Sequence, residues 1–193
     1  MKEGARVVGG PRDNDDLAQW LERGYTRSFR TACLLLGNRA DAEEAVQEAF
    51  LRAWRFRASL GSGSNLTPWL YRVVVNTCYS KLRDEVRRRE RRSELSHLEE
   101  VASSTPPPEE QVWRIDVSRS VARALNDLPF HLRVAVVLRY YAELSEREIA
   151  TAIGRRPGTV KSRLHEGRRL LAAHPALQAL VLSESAPVEE ELQ

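Results

Sequence analysis

Cysteine and histidine are scarce in this chain, and their positions argue against metal and redox chemistry. The 193 residues include two cysteines, Cys33 and Cys78, and four histidines. None of them has the spacing of a zinc-ligand set. Two cysteines are too few for a disulfide framework, so we expect two buried thiols in a reducing compartment, with a redox pair as the alternative. We expect no metal ion and no other cofactor.

Long apolar runs and strand-like patterns are missing as well. No window approaches the roughly 18 apolar residues of a membrane span, and residues 1–16 lack the apolar segment of a signal peptide. The sequence therefore predicts a cytoplasmic protein without direct membrane insertion. Because no segment shows convincing alternation of apolar and polar residues, we expect an all-α fold.

Enzyme motifs are also lacking. The chain contains no glycine-rich loop of the kind that binds phosphates. Its histidines are not placed as a ligand set or as a base and nucleophile pair. The sequence therefore does not support a catalytic function.

Charge is present in quantity, but it is unevenly distributed. The net charge is only +3, yet basic residues dominate segments 81–92 and 154–169. Segment 94–110, in contrast, carries five glutamates and neither lysine nor arginine. This alternation predicts two basic surfaces separated by an acidic connector, which suits a protein that binds a polyanion.

Apolar residues recur at steps of three and four along most of the chain, which predicts two groups of amphipathic helices. The first group covers 16–36, with a break near Gly24 left open, then 40–57 and 68–92. The second group covers 112–128, 132–144, 145–154 and 157–173.

The segment between the two groups is acidic and contains three consecutive prolines, which favours a flexible, extended linker over 93–111. We therefore predict two small helical domains joined by this linker. Their bounds, with the flanking segments, are a disordered N-terminus 1–16, domains 17–92 and 112–173, and a C-terminal tail 174–193.

The stretch GRRPGTVKSRLHEGRRLL, from Gly154 to Leu171, contains a helix stop, a Pro-Gly pair and a basic helix, with six lysine and arginine residues in all. Before it, Ser145 and Glu148 stand at the positions of a capping box. Two short helices around a tight turn predict a helix-turn-helix, whose second helix lies in the DNA major groove. A solvated basic helix in a bundle is the alternative interpretation.

Along this last helix, Val160, Leu164 and Leu171 are expected to face the core, and Gly167 to allow a close approach. Lysine and arginine can neutralise phosphates or bond guanine edges, and glutamate can accept from cytosine. The residues predicted to contact DNA are Thr159, Lys161, Ser162, Arg163, His165, Glu166 and Arg168.

Three motifs follow one another in order along the chain: DAEEAVQEAFLRAW (Asp41–Trp54), TPWLYRVVVN (Thr67–Asn76) and LSEREIATAIGRRPGTVKSRL (Leu144–Leu164). Together they strongly resemble bacterial sigma factors of the extracytoplasmic-function (ECF) group of the sigma-70 family. The resemblance covers 17–92 as region 2 and 112–173 as region 4. It implies an RNA polymerase sigma factor that binds core polymerase, directs promoter-specific initiation and catalyses nothing itself.

The resemblance also implies which surfaces meet the polymerase and the promoter. In region 2, the DAEEAVQEAF helix would dock on the coiled coil of the beta-prime clamp through Asp41, Glu44, Gln47, Glu48 and Leu51. Region 2 would also capture an unstacked base of the minus-10 element, with Leu60, Arg72, Asn76, Lys81 and Arg83 as the candidates. Region 4 would read the minus-35 element with its recognition helix and contact the beta flap.

Asn76 matches the family's base-contacting asparagine, whereas Leu60 stands where the family often has an aromatic residue. Glu166 occupies a position that is frequently basic, so we expect weaker phosphate attraction and an altered minus-35 preference. Val46, Phe50 and Trp54 are expected to pack in the core, and so is Trp69.

A stand-alone helix-turn-helix regulator, which would bind palindromic duplexes without polymerase, is the alternative function. Members of the group are commonly inhibited by an anti-sigma factor, often membrane-bound, so we expect such a partner. The protein would then be nucleoid-associated when active and held at the membrane when inhibited. The apolar stretch ALQALVL in the tail is expected to pack on region 4, with extension of the last helix or a partner contact as alternatives.

Overall fold

The computed structural model describes residues 14–56, 66–95 and 119–184, and all regular secondary structure within these ranges is α-helical. The all-α prediction is therefore confirmed. The first helical unit contains α1 (Asn14–Leu36), α2 (Arg39–Arg55) and α3 (Thr67–Leu95). The second unit contains α4 (Arg119–Asp127), α5 (Phe130–Tyr140), α6 (Glu146–Ile153), α7 (Pro157–Ala172) and α8 (Pro175–Glu184).

Several predicted helix boundaries differ from those observed. Helix α1 is continuous through Gly24, so the break considered there does not occur, and it begins two residues before the predicted start. Helix α3 extends to Leu95, which places residues 93–95 of the predicted linker inside a helix. The remainder of the linker (96–111), the expected disorder of residues 1–13 and the predicted start of α4 before Arg119 lie outside the described residues.

Helix α5 ends at Tyr140, although the apolar pattern predicted a helix to Leu144. The backbone N–H groups of Tyr141 and Ala142 both donate to the carbonyl of Val137, and Glu143 has a positive φ of 59°. That left-handed residue reverses the chain so that Leu144 packs into the core. The apolar spacing continues past the end of α5 because Leu144 is buried through a turn, and an apolar residue buried in this way cannot be distinguished in the sequence from one buried in a helix.

Local residues explain the tight junction between α1 and α2. Gly37 has a φ of 68°, a conformation that only glycine adopts without steric cost. Asn38 then caps α2, since its side-chain oxygen accepts from the N–H groups of Ala40 at 2.8 Å and Asp41 at 3.3 Å. The two helices are thereby set side by side, and α3 packs against both.

The two helical units pack against each other rather than standing apart. Helix α3 lies on α6, and α1 lies on α4 and α5, so buried side chains of both units form one continuous apolar cluster. Leu35 and Val74 of the first unit and Val137, Leu138 and Ile149 of the second are almost fully buried. This packing between the units was not predicted from the sequence.

A buried arginine crosses from one unit to the other. The Nη1 group of Arg133, in α5, donates to the carbonyl of Leu35 at the end of α1 at 2.7 Å. Its Nη2 group donates to the carbonyls of Asn126 at 2.5 Å and Leu128 at 3.2 Å. Burial lowers the pKa of Arg133 from its ordinary value, and the nearby charge of Asp127 opposes that change. The guanidinium thus satisfies carbonyl groups at two helix ends that would otherwise lack partners.

Two contacts at the surface accompany this buried one. Arg27 of α1 and Glu143 form an ion pair at 3.4 Å, and the rings of Tyr79 and Phe130 lie 5.9 Å apart. Exposed ion pairs contribute little to stability. The apolar cluster and Arg133 therefore carry most of the attachment between the units.

The C-terminal residues form a separate helix. Helix α8 begins after a turn at Ala173 and His174 and packs against α4, so the tail does not extend α7. The His174 Nε2 atom lies 3.0 Å from Asp127 Oδ2, which ties the turn to the end of α4. Across the described ranges, no helix has both the length and the apolar character needed to cross a membrane.

Cys33 and Cys78 are free and buried, as expected. Burial in an apolar environment raises the pKa of each thiol to about 12. Within the described part of the chain, no three histidine, cysteine, aspartate or glutamate side chains are grouped to hold a metal ion.

Both thiols should therefore be inert in the folded protein. Because a raised pKa keeps the neutral thiol dominant at every pH below about 12, thiolate-specific reagents lack a nucleophile at pH 8. We expect negligible reaction with a disulfide reagent such as Ellman's in buffer and two thiols per chain after unfolding in urea. Rapid stoichiometric labelling of the native protein would contradict the buried placement.

Replacing Arg133 with methionine should destabilise the protein by about 2–4 kcal/mol. The substitution keeps an apolar stem of similar length but leaves the carbonyls of Leu35 and Asn126 without a buried donor. Urea unfolding followed by circular dichroism measures the loss. Arg123→Ala, an exposed arginine of α4, is the matched control and should change stability by less than about 0.5 kcal/mol. Equal effects of the two substitutions would exclude the bridging role.

Candidate nucleic-acid and polymerase interfaces

Helices α6 and α7 and the turn between them form a helix-turn-helix. Ser145 and Glu148 make the predicted capping box: the Ser145 hydroxyl accepts from the Glu148 N–H at 3.3 Å, and the Ser145 N–H donates to the Glu148 carboxylate at 2.8 Å. Gly154 ends α6 with a φ of 62°, and the Arg155 N–H returns to the carbonyl of Ala150 at 2.9 Å. Pro157 occupies the first turn of α7. The turn is therefore fixed by its own residues.

Helix α7 is held against α5 at one close contact. A Cβ atom added to Gly167 would lie 2.7 Å from Val136 Cγ2, closer than two carbon atoms can approach. Val160 and Leu164 are buried on the same side, and Leu171 is partly buried there. The predicted inward face of this helix is confirmed.

The opposite face of α7 is directed away from the core. Five of the predicted DNA contacts are exposed, and Arg163 and Glu166 are partly covered. Burial is the main cause that lowers the pKa of Arg163, and the charge of neighbouring Arg155 adds to it. The exposed five are Thr159, Lys161, Ser162, His165 and Arg168.

Two of these side chains already have partners within α7. Both carboxylate oxygens of Glu166 accept from Arg169, at 2.7 and 2.9 Å, and this bonding lowers the pKa of Glu166. The Ser162 hydroxyl donates to the carbonyl of Gly158 at 3.1 Å. Glu166 therefore presents an ion pair at this surface instead of a free carboxylate, a feature that the sequence analysis missed.

In the first unit, the minus-10 candidates fall on α3. Arg72 and Asn76 are exposed and lie four residues apart, so they share one face of the helix, and Arg83 is exposed further along it. Lys81 is different: its ammonium lies 2.6 Å from Glu44 and 3.7 Å from Asp41. Leu60 lies outside the described residues.

The polymerase-binding candidates form one surface along α2. Glu44, Gln47 and Leu51 are exposed, while Asp41 and Glu48 are partly covered. Lys81 holds Asp41 and Glu44, and Arg52 donates to Glu48 at 2.7 Å. Much of the acidic charge is therefore paired in this structure.

Three exposed apolar side chains lie at one end of this acidic surface. Leu51, Trp54 and Phe56 are 53%, 41% and 56% exposed at the C-terminal end of α2. The expectation that Trp54 packs in the core is wrong, whereas Val46 is fully buried and Phe50 and Trp69 pack against the core as expected. Ala53, one residue earlier, is fully buried, so the covered face of α2 is narrower than the apolar stripe and Trp54 lies outside it.

A cleft between the two units brings together arginines that the sequence analysis had not combined. It has a volume of about 820 Å³ and opens beside the start of α7. Arg72 from α3 faces Arg147 from α6 and Arg155 and Arg156 from the turn, and Thr159 lines the same cleft. The sequence placed these residues in separate domains, so only the packing of the two units reveals the cluster.

Comparison with known proteins identifies the two units. The sigma-70 region 2 family matches residues 21–88, and the sigma-70 region 4 family matches residues 118–171. The chain is 33% identical to the ECF RNA polymerase sigma factor SigE of Mycolicibacterium smegmatis over 189 aligned residues. This alignment covers 95% of the chain and 72% of SigE. The chain is an ECF sigma factor of the sigma-70 family. Sigma factors are transcription initiation factors and not enzymes.

Further relatives agree with this assignment. The ECF sigma factor SigW of Bacillus subtilis is 28% identical over 165 residues, covering 82% of this sigma factor and 88% of SigW. Among solved structures, the chain is similar to the sigma factor RpoE of Bartonella quintana, which was solved in complex with the anti-sigma factor NepR. The TM-score is 0.65 at 29% identity, and the match covers 85% of this chain and 98% of the RpoE chain. CnrH, in complex with the cytosolic domain of CnrY, shares the fold at a TM-score of 0.59 and 21% identity, over 90% and 92% of the two chains.

Gly167→Ala should loosen the recognition helix from its support. The added methyl group meets Val136 in a packed contact, and overpacking of this kind costs about 1–3 kcal/mol. Gly158→Ala is the matched control on the same helix, because nothing lies within 4 Å of its Cβ position. We expect the control to leave the melting temperature unchanged or slightly raised, since alanine favours helix over glycine by up to about 1 kcal/mol. If Gly167→Ala left the melting temperature unchanged, α7 would have to lie further from α5 than in this structure.

Proposed function

We propose that this sigma factor binds core RNA polymerase through α2 and reads promoter DNA through α3 and α7. The observation that carries the proposal is the separation of charge: α2 presents an acidic and apolar surface, whereas α7 presents a basic one. A surface for a protein partner and a surface for DNA are expected to differ in this way. We assign region 2 to residues 17–92 and region 4 to 112–173, with 93–111 as the connector.

On the polymerase side, we assign the contact with the beta-prime clamp to the α2 residues Asp41, Glu44, Gln47, Glu48 and Leu51. The exposed side chains of Leu51, Trp54 and Phe56 support this assignment, because apolar and aromatic side chains are enriched at the centre of protein interfaces. We also propose that region 4 contacts the beta flap.

On the DNA side, Asn76 and Arg72 share a face of α3 that is open to an unstacked base and its phosphates. We assign minus-10 recognition to this face, extended by Arg83 and, in the loop before α3, Leu60. Lys81 would join it only after giving up its ion pairs with Glu44 and Asp41.

Minus-35 recognition is assigned to the outward face of α7. Lys161, Arg163 and Arg168 supply the cations for phosphates and guanine edges, with Thr159, Ser162 and His165 as polar contacts. Glu166 would accept from cytosine only if Arg169 released it, so we propose that the pair acts as a unit in setting the sequence preference.

Promoter binding would require the two units to separate. Elements centred near minus-35 and minus-10 lie about 25 base pairs apart, which is roughly 85 Å of duplex at 3.4 Å per base pair. Here Arg72 of the minus-10 candidates and Thr159 of the minus-35 candidates line one cleft. We infer that the packed arrangement is a form not engaged with promoter DNA.

We propose that an anti-sigma factor binds this sigma factor. Support comes from RpoE of Bartonella quintana, whose solved structure contains the anti-sigma factor NepR. The protein would be cytoplasmic, associated with the nucleoid when active and held at the membrane if its inhibitor is anchored there.

Run-off transcription with purified core polymerase and a promoter library tests the function. Adding the protein should create initiation sites that core polymerase alone does not use. A stand-alone regulator, the alternative, would instead bind a palindromic duplex without polymerase and create no new sites.

Two substitutions separate the proposed surfaces. Lys161→Ala should reduce initiation at promoters with a minus-35 element about tenfold, because it removes one phosphate or base contact, and should leave core binding intact. Gln47→Ala should weaken core binding instead, measured by co-elution or fluorescence anisotropy. Arg123→Ala is the control and should alter neither. If both substitutions lowered both activities equally, the division between α2 and α7 would be wrong.

A further inference from the structure

The cleft between the two units concentrates positive charge from both of them. Four guanidinium groups line it, from Arg72, Arg147, Arg155 and Arg156, together with the polar side chains of Thr151 and Thr159. One of the four belongs to the first unit and three belong to the second. The cluster is therefore complete only while the units are packed together.

None of these four guanidinium groups has an acidic partner. No carboxylate lines the cleft, and within the described ranges none of the four makes an ion pair or a side-chain hydrogen bond. Arg72 does approach the end of α6, where its Nη2 atom lies 3.7 Å from a Cβ position built on Gly154. Elsewhere on the surface, arginines such as Arg27, Arg52 and Arg169 are paired with glutamates. Within the cleft, by contrast, all four arginines are unpaired.

The size of the cleft limits what can neutralise this charge. A volume of about 820 Å³ is that of a small-molecule site and corresponds to a span on the order of 10 Å. Arginine binds phosphate oxygens in a bidentate manner, and four forks facing one small space suit several linked phosphate groups better than a single anion.

We propose that this cleft binds a compact ligand with a chain of phosphate groups, held by Arg72 from region 2 and by Arg147, Arg155 and Arg156 from region 4. The ligand bridges the two units. Because it contacts both only in the packed arrangement, it stabilises that arrangement relative to the separated one. Arg72 and Thr159 are also among the residues proposed to contact promoter DNA, but phosphate binding by the packed form does not rest on that proposed function.

Isothermal titration calorimetry with the full chain and inorganic tripolyphosphate, without magnesium and at constant ionic strength, tests the site. We expect saturable binding of one ligand per chain and a higher melting temperature at saturation. Arg72→Ala and Arg155→Ala should each raise the dissociation constant about tenfold, as expected for the loss of one charge-assisted contact. Arg72→Lys should recover part of the affinity, and Arg123→Ala should not change it.

A second arm uses a nucleoside triphosphate. Equal affinity assigns the site to the phosphate chain alone, and tighter binding assigns it to a nucleotide; both support a phosphate site. A glutamate peptide of matched charge is the competing ligand, and equal binding of this peptide would overturn the preference for phosphate. If Arg72→Ala bound tripolyphosphate as well as the unaltered protein, the anion would be held by region 4 alone and the bridging site would not exist.

Discussion

The hydrogen bond from Arg133 to the carbonyl of Leu35 joins the two halves of this sigma factor inside their shared core. Burying a guanidinium group is costly unless its donors are satisfied. Here both Nη groups find acceptors, at the end of α1 and at the α4–α5 junction, whereas Nε is buried without one. The same group therefore orders the start of region 4 and fixes where region 2 lies on it. The contacts of α3 with α6 bring Arg72 beside the arginines of the second unit and so complete the cleft.

Because the two units pack together, promoter binding requires free energy to separate them. Any partner that needs α3 and α7 far apart must supply enough binding free energy to replace the contacts between the units, since a ligand shifts an equilibrium only by its differential affinity. Core polymerase and promoter together offer extended surfaces for this purpose. An inhibitor faces the opposite situation, because one that binds the packed form works in the direction the chain already favours.

Much of the fold was readable from the sequence because local signals were strong. The capping box at Ser145, the stop at Gly154 and the inward positions Val160 and Leu164 were all confirmed, since each depends on residues only a few positions apart. The end of α5 was mispredicted because Leu144 is buried through a turn and not through a helix. The family could be recognised from three motifs, as the comparisons confirmed.

The candidate sites were less predictable because their state depends on residues distant in sequence. Lys81 was placed with the DNA contacts from its position on α3, yet it pairs with Glu44, which lies on α2. The four arginines of the cleft come from three separate segments and meet only through the docking of α3 on α6. Spacing along one helix shows which side chains share a face, but not which face another helix covers.

The pairing of Glu166 with Arg169 also bears on how the recognition helix responds to salt. Each phosphate that a protein cation neutralises releases condensed counterions and adds about 0.9 to the slope of log K against log salt concentration. An arginine already neutralised by a neighbouring glutamate releases none. Region 4 therefore carries more arginines on α7 than its salt dependence would count.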